Sequence, residues 1–210
     1  NSTFQTITGS NGGAIYNNKK LNILNTVFKR IAGDDGGAIY NKDQLTIGNC
    51  ILNITNAGGG ITKCDGGGIY NIGSCEINNS TITESKSSLH GGGIYNKGTL
   101  IVNATTISKC DGKAGTGIYN NNSMTLNNCQ IINNYQTNAE NLIINHGEGW
   151  SEIFCIGSGI IFNNENAQAK ISKSIIKDNT IISGYGNGGS YEFFGIIRNK
   201  GEMNILSCIF

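Results

Sequence analysis

The stretch DGGAIYNK at residues 35–42 decides the fold, because near-copies recur: NGGAIYNN at 11–18, DGGGIYNI at 65–72, HGGGIYNK at 90–97 and GTGIYNNN at 115–122. Their isoleucines, Ile15, Ile39, Ile69, Ile94 and Ile118, follow one another at 24, 30, 25 and 24 residues. Two degraded copies keep the beat, Ile161-Phe162-Asn163 and Ile197-Arg198-Asn199. A period of this length marks a repeat architecture, and it takes precedence over local propensity.

A second phrase follows each copy and reads apolar-x-apolar-x-x-(Cys/Ser/Thr)-x-apolar. Leu21, Ile23, Thr26 and Phe28 set the pattern, which returns down the chain to Met203, Ile205, Cys208 and Phe210. Both phrases are too short for helices, are rich in β-branched residues and alternate at a period near two, so each predicts a short strand. A unit of about 24 residues cannot bury an apolar face alone, but stacked units share a core. The expected fold is therefore all-β: a single-stranded parallel β-helix solenoid of seven to eight coils. A leucine-rich repeat shares the L-x-L-x-x-C-x-L half, yet it needs a further leucine upstream, where Asn18, Lys42, Ile72, Lys97 and Asn121 stand.

The solenoid assigns a task to each repeated residue. The isoleucines, with Ile161, point inward and stack; the tyrosines point outward by strand alternation; the paired glycines turn a tight corner. Asn17, Asn41, Asn71, Asn96, Asn120, Asn163 and Asn199 are expected to stack as an amide ladder. A residue required in every coil is architecture, so the repeats carry folding and no catalytic residue is predicted among them. The stretches after Phe28, Ile82 and Ile107 have no shared pattern from which to place the third side of the coil.

Net charge is +1, with 14% charged residues. That leaves no electrostatic footprint for nucleic acid or an anionic membrane, and no apolar run has membrane-spanning length. No cofactor or metal is expected, since the seven cysteines form no CxxC and no His-rich metal spacing. Cys50, Cys129 and Cys208 share an inward strand position, the first two three coils apart. Three coils span roughly 14 Å, beyond the roughly 7 Å that a disulfide bridges. These three, with Cys75, are expected as free thiols acting as small core fillers, which suits an anoxic habitat. The chain begins and ends in mid-coil, which predicts a segment of a longer chain or a unit that self-associates end to end.

GGAIYN and GGGIYN with LTIxNCxI between them resemble the repeats of adhesin-like surface proteins of methanogenic archaea. They are more distantly similar to the GGA(I/L/V) and FxxN repeats of chlamydial polymorphic outer-membrane proteins, FxxN surviving at 131–134 and 176–179. The resemblance covers residues 1–123 well and 124–210 loosely. It implies a right-handed helix and an extracellular cell-surface protein, used for attachment to a glycan or protein of a host or neighbouring cell, or as a stalk.

On a rigid scaffold specificity sits where repeats are interrupted. Interruptions fall at about 53–65, 133–159 and 177–195, all at one phase of the coil and hence along one edge. They carry Tyr135, His146, Trp150, Phe154, Tyr185, Tyr191 and Phe193, a candidate aromatic binding edge of flat apolar faces beside amides and carboxylates. Packing of the inserts on one another is the competing reading.

Two other classes compete with this reading. Polysaccharide lyases and hydrolases use this kind of scaffold, but they need paired carboxylates or a carboxylate-bound cation. Asp34-Asp35 reads as an ordinary polar turn, and Glu148, Glu152, His146 and Lys170 match no catalytic spacing. The prediction is that the chain is no enzyme. A structural subunit of an extracellular filament or sheath is the remaining alternative.

Overall fold

The computed structural model describes residues 1–58, 64–136, 140–145, 151–156, 160–181 and 196–210. They form a parallel β-helix of about seven coils, built on three parallel sheets. Sheet 1 stacks the Ile-Tyr-Asn strands Ile15–Asn17, Ile39–Asn41, Ile69–Asn71, Ile94–Asn96, Ile118–Asn120, Ile161–Asn163 and Ile197–Asn199. Sheet 2 stacks Leu21–Leu24, Gln44–Gly48, Ser74–Asn78, Thr99–Asn103, Ser123–Asn127, Gln168–Ser172 and Glu202–Leu206. Sheet 3 runs from Ser2–Thr8 and Thr26–Gly33 through Ile51–Ala57, Thr81–Thr83, Thr106–Ser108 and Gln130–Ile132 to Ile175–Lys177.

Register follows the repeat residue for residue. Ile39 lies beside Ile69 and Ile69 beside Ile94, while Leu100 lies between Cys75 and Met124. One apolar core results, in which Ile39, Ile69, Ile94 and Ile118 of sheet 1 meet Ile47, Ile77, Val102 and Leu126 of sheet 2, all fully buried. The expected amide ladder is present. Asn17 donates to Asn41, Asn41 to Asn71 and Asn71 to Asn96, each at 2.7 Å, and the series continues to Asn199.

The corner between sheets 2 and 3 has its own rule. A left-handed residue (Asn25, Asn49, Asn79, Ala104, Asn128, Lys173 or Ser207) precedes the Cys/Ser/Thr position in every coil. The side chain at that position donates back to the carbonyl two residues earlier: Ser80 to Asn78 at 2.8 Å, Thr105 to Asn103 at 2.9 Å, Cys50 to Gly48 at 3.2 Å. Ser80 Oγ also accepts the Cys50 N–H of the adjacent coil at 3.1 Å. The cysteines here are thus more than the expected apolar filler, because the corner requires a small side chain that donates a hydrogen bond.

The third side contains a break. Thr6, Arg30, Ile54, Glu84, Lys109, Asn133 and Asp178 all have φ between 52 and 56° and turn the chain just before a second inward residue. That inward column changes character along the axis. Ile31 is apolar, Thr55 and Ser85 share a hydrogen bond of 2.7 Å, and Asn134 and Asn179 begin a second, short amide stack at 3.1 Å. The FxxN similarity at 131–134 and 176–179 falls on this stack.

Candidate functional site

The corner from sheet 3 to sheet 1 is built by the two glycines. Gly36 has φ +67°, and a Cβ there would lie 2.3 Å from the Ile39 carbonyl oxygen; one on Gly37 would lie 2.2 Å from the Gly67 carbonyl of the next coil. Only glycine fits both demands. Immediately before the pair stands a column of Asn11, Asp35, Asp65, His90 and Ala114, set in line by backbone bonds from Gly12 to Asp35, Gly36 to Asp65, Gly66 to His90 and Gly91 to Ala114.

This column links its own members across coils. The Asp65 N–H donates to Oδ1 of Asp35 at 2.9 Å, and the His90 N–H to Oδ1 of Asp65 at 2.9 Å. The His90 ring also places Nδ1 3.0 Å from that same oxygen. A carboxylate only accepts, so Nδ1–H is the donor, and in the neutral ring Nε2 keeps an open lone pair.

Beside the column runs a ladder of rings on the outer face of sheet 1. Tyr16, Tyr40, Tyr70, Tyr95, Tyr119 and Phe162 stack with centroids 4.7 to 5.2 Å apart. The tyrosines point away from the core as expected, yet Tyr70 and Tyr95 are only 5% and 6% exposed, against 49% for Tyr16 at the first coil. Each ring covers its neighbour, and flanking side chains cover the rest. His90 lies 4.6 Å from the Tyr119 ring, and Lys97 Nζ sits 5.6 and 5.5 Å from the Tyr70 and Tyr95 rings, within cation–π range.

The electrostatics follow from this packing. Burial raises the Asp35 carboxyl, with the Asp65 charge adding to it against the backbone bond that it accepts. A hydrogen bond with the Tyr70 side chain raises the Lys97 ammonium, helped by the Asp65 and Asp35 charges. Burial, then the Asp65 charge, pushes the Tyr95 phenol far above its ordinary range. The face therefore holds protonated phenols and an ammonium beside two carboxyl groups. Ring faces are mutually covered, and the polar side chains flanking the buried Tyr70 and Tyr95 form the accessible part of the face.

The interruptions leave the coil at the same corner. Regular pairing continues to Ala57, to Gln136 and to Ile181, which occupy one column: Ser87 pairs with Ala57 and Gln136 with Ile181, and the two pairs are joined by the Lys86–Asp111 β-bridge and the Tyr135 N–H to the Cys110 carbonyl. The additional chain follows those residues. Within it, Glu140–Asn145 and Ser151–Ile156 pair as antiparallel strands, with Phe154 opposite Leu142 and Glu152 opposite Ile144. Of the sequence-predicted edge, Tyr135 is 42% exposed and pairs with Thr180. His146, Trp150, Tyr185, Tyr191 and Phe193, with Glu148, lie outside the described residues. Lys170 stands in sheet 2 between Thr125 and Asn204, away from that corner.

The Asp35, Asp65 and His90 column with its ring ladder was missed from sequence. Its signal was present in the aligned copies, where DGG, DGG and HGG occupy one phase. Among the described residues no three His, Cys, Asp or Glu side chains converge to hold a metal ion. Cys50, Cys75, Cys110, Cys129 and Cys208 are free thiols, the first four buried, and burial pushes the Cys75 and Cys110 thiols up to about 12. Burial and the raised pKa make these thiols poor nucleophiles. Comparison with protein-family models, with curated proteins and with solved structures finds no match.

Proposed function

We propose that the chain is a rigid β-helical stalk of an extracellular, cell-surface, adhesin-like protein, with its sheet 3 to sheet 1 corner as the edge that attaches to a glycan or protein. One observation carries this reading: the sheets keep their register on either side of each insertion, while regular pairing before an insertion stops at one phase of the coil, at Ala57, Gln136 and Ile181. A scaffold that keeps its sheets in register and varies the chain length at one corner is suited to presenting a binding edge. The sequence resemblance to adhesin-like repeats points the same way.

Replacing 58–63, 137–159 and 182–195 by short Asn-Gly turns tests it. The shortened chain is expected to keep its β-sheet circular dichroism and lose attachment to cells that bind the full chain. Undiminished attachment, or immunogold label confined to the interior of the producing cell, would overturn the proposal.

A further inference from the structure

We infer that the face formed by Asp35, Asp65, His90 and Lys97 around Tyr70 and Tyr95 is a binding site for a neutral saccharide chain laid along the solenoid axis. The inference rests on the attachment reading and names the ligand class of that corner.

The chemistry of the face narrows the ligand by elimination. Ring faces are closed by stacking at 4.9 and 5.0 Å and the Tyr70 and Tyr95 rings are buried, so a planar aromatic ligand has no platform and contact falls to the polar side chains around them. Two carboxyl groups on successive coils disfavour an anion, and Lys97, held over both rings, disfavours a cation. Acceptors and donors remain in alternation. Among the described residues Oδ1 of Asp35 and Oδ1 of Asp65 take the protein's hydrogen bonds, which leaves each second oxygen to accept from a ligand. Lys97 donates, and His90, oriented by Asp65, presents Nε2.

A ligand dense in hydroxyl groups, each both donor and acceptor, matches this set. The periodicity matches as well. The coil rise of about 4.8 Å places the Asp35 and Asp65 carboxyl groups under two successive units of a linear chain, with His90 under the next.

The test uses the full chain on an array of neutral, acidic and aminated oligosaccharides, followed by calorimetry with the neutral oligosaccharide retained best. Asp65→Asn keeps an oxygen for the His90 N–H while removing the charge, and Lys97→Met changes an exposed side chain. Each is expected to weaken binding by about ten-fold or more, with circular dichroism and melting unchanged for Lys97→Met. Retention of no neutral oligosaccharide, or equal affinity in Lys97→Met and wild type, overturns the inference. Cell attachment measured in parallel separates the two readings. Attachment without oligosaccharide retention removes the saccharide and leaves the attachment; retention that Lys97→Met weakens, in a chain that attaches to no cell, removes the attachment and leaves the saccharide.

Discussion

Asn71 donates to Oδ1 of Asn96 at 2.7 Å, and Asn96 passes the same bond to Asn120 at 2.8 Å while also donating to the Gly98 and Ser123 carbonyls. Truncating Asn96 therefore leaves several buried polar groups unpaired at once. Asn96→Ala is expected to cost about 3 kcal/mol. Asn199→Ala, at the exposed last rung, is expected to cost about 1 kcal/mol or less. Denaturant titration of both variants checks the ladder, and equal losses would show that it contributes no more than one exposed bond.

Glycines in this chain are not equivalent. Gly36 combines φ +67° with a carbonyl 2.3 Å from any added Cβ, whereas a Cβ on Gly48 meets only the flexible end of Leu24. Gly36→Ala is expected to cost about 2–4 kcal/mol. Gly48→Ala is expected to be neutral or to gain about 0.5 kcal/mol through the unfolded state. Thermal melting of the pair decides between them.

The raised thiols give a pH signature. Cys75 and Cys110 hold their protons up to about 12 in the folded chain, against 9.0 ordinarily. Their stability contribution is complete below the unfolded value, and it is lost as pH rises from there through the folded value. Each thiol is expected to remove about 1.4 kcal/mol per pH unit in that window. A Cys75→Ala/Cys110→Ala double variant should show a flatter decline in melting temperature between pH 9 and 11, and an identical slope would remove the thiols as the cause.

Sheets 1 and 2 were legible because their constraints act on side chains. Ile39 must fill a core, Asn41 must both give and take an amide bond, and Gly36 must lack a Cβ, so each coil repeats the same letter. The third side was not legible because its constraint acts on the backbone. Arg30, Ile54, Glu84 and Lys109 share a left-handed conformation and no side-chain chemistry. The ring ladder was half legible: alternation gives the outward direction of Tyr95, but its burial depends on His90 and Lys97 from flanking positions.

That backbone constraint can be exploited. Glu84 is exposed and holds φ 56°, a conformation that costs an ordinary L-residue about 1 kcal/mol and an asparagine less. Its N–H donates to the Ser108 carbonyl, a bond that any non-proline residue keeps. Glu84→Asn is expected to stabilise the fold by about 0.5 kcal/mol, raising the denaturation midpoint at unchanged slope. A lowered midpoint would mean that the Glu84 side chain has a role beyond the kink.

The Asp35 carboxyl supplies the last test, because its backbone role and its charge can be separated. Oδ1 accepts the Asp65 N–H at 2.9 Å, a bond that an asparagine oxygen reproduces, and Asn11 already fills the same place one coil earlier. The charge is unfavourable: burial and the Asp65 carboxylate raise the pKa from its ordinary 3.8. A carboxyl raised on folding contributes stability that is full below the unfolded value and is lost as pH climbs through the folded one. Asp35→Asn should therefore melt with wild type at pH 3 and above it at pH 7, the gap opening across the carboxylate range. A gap that is constant with pH would assign the difference to packing rather than charge, and a wild type that melts higher at pH 7 would mean that the Asp35 charge is held by a favourable partner, with Lys97 the nearest cation of that face.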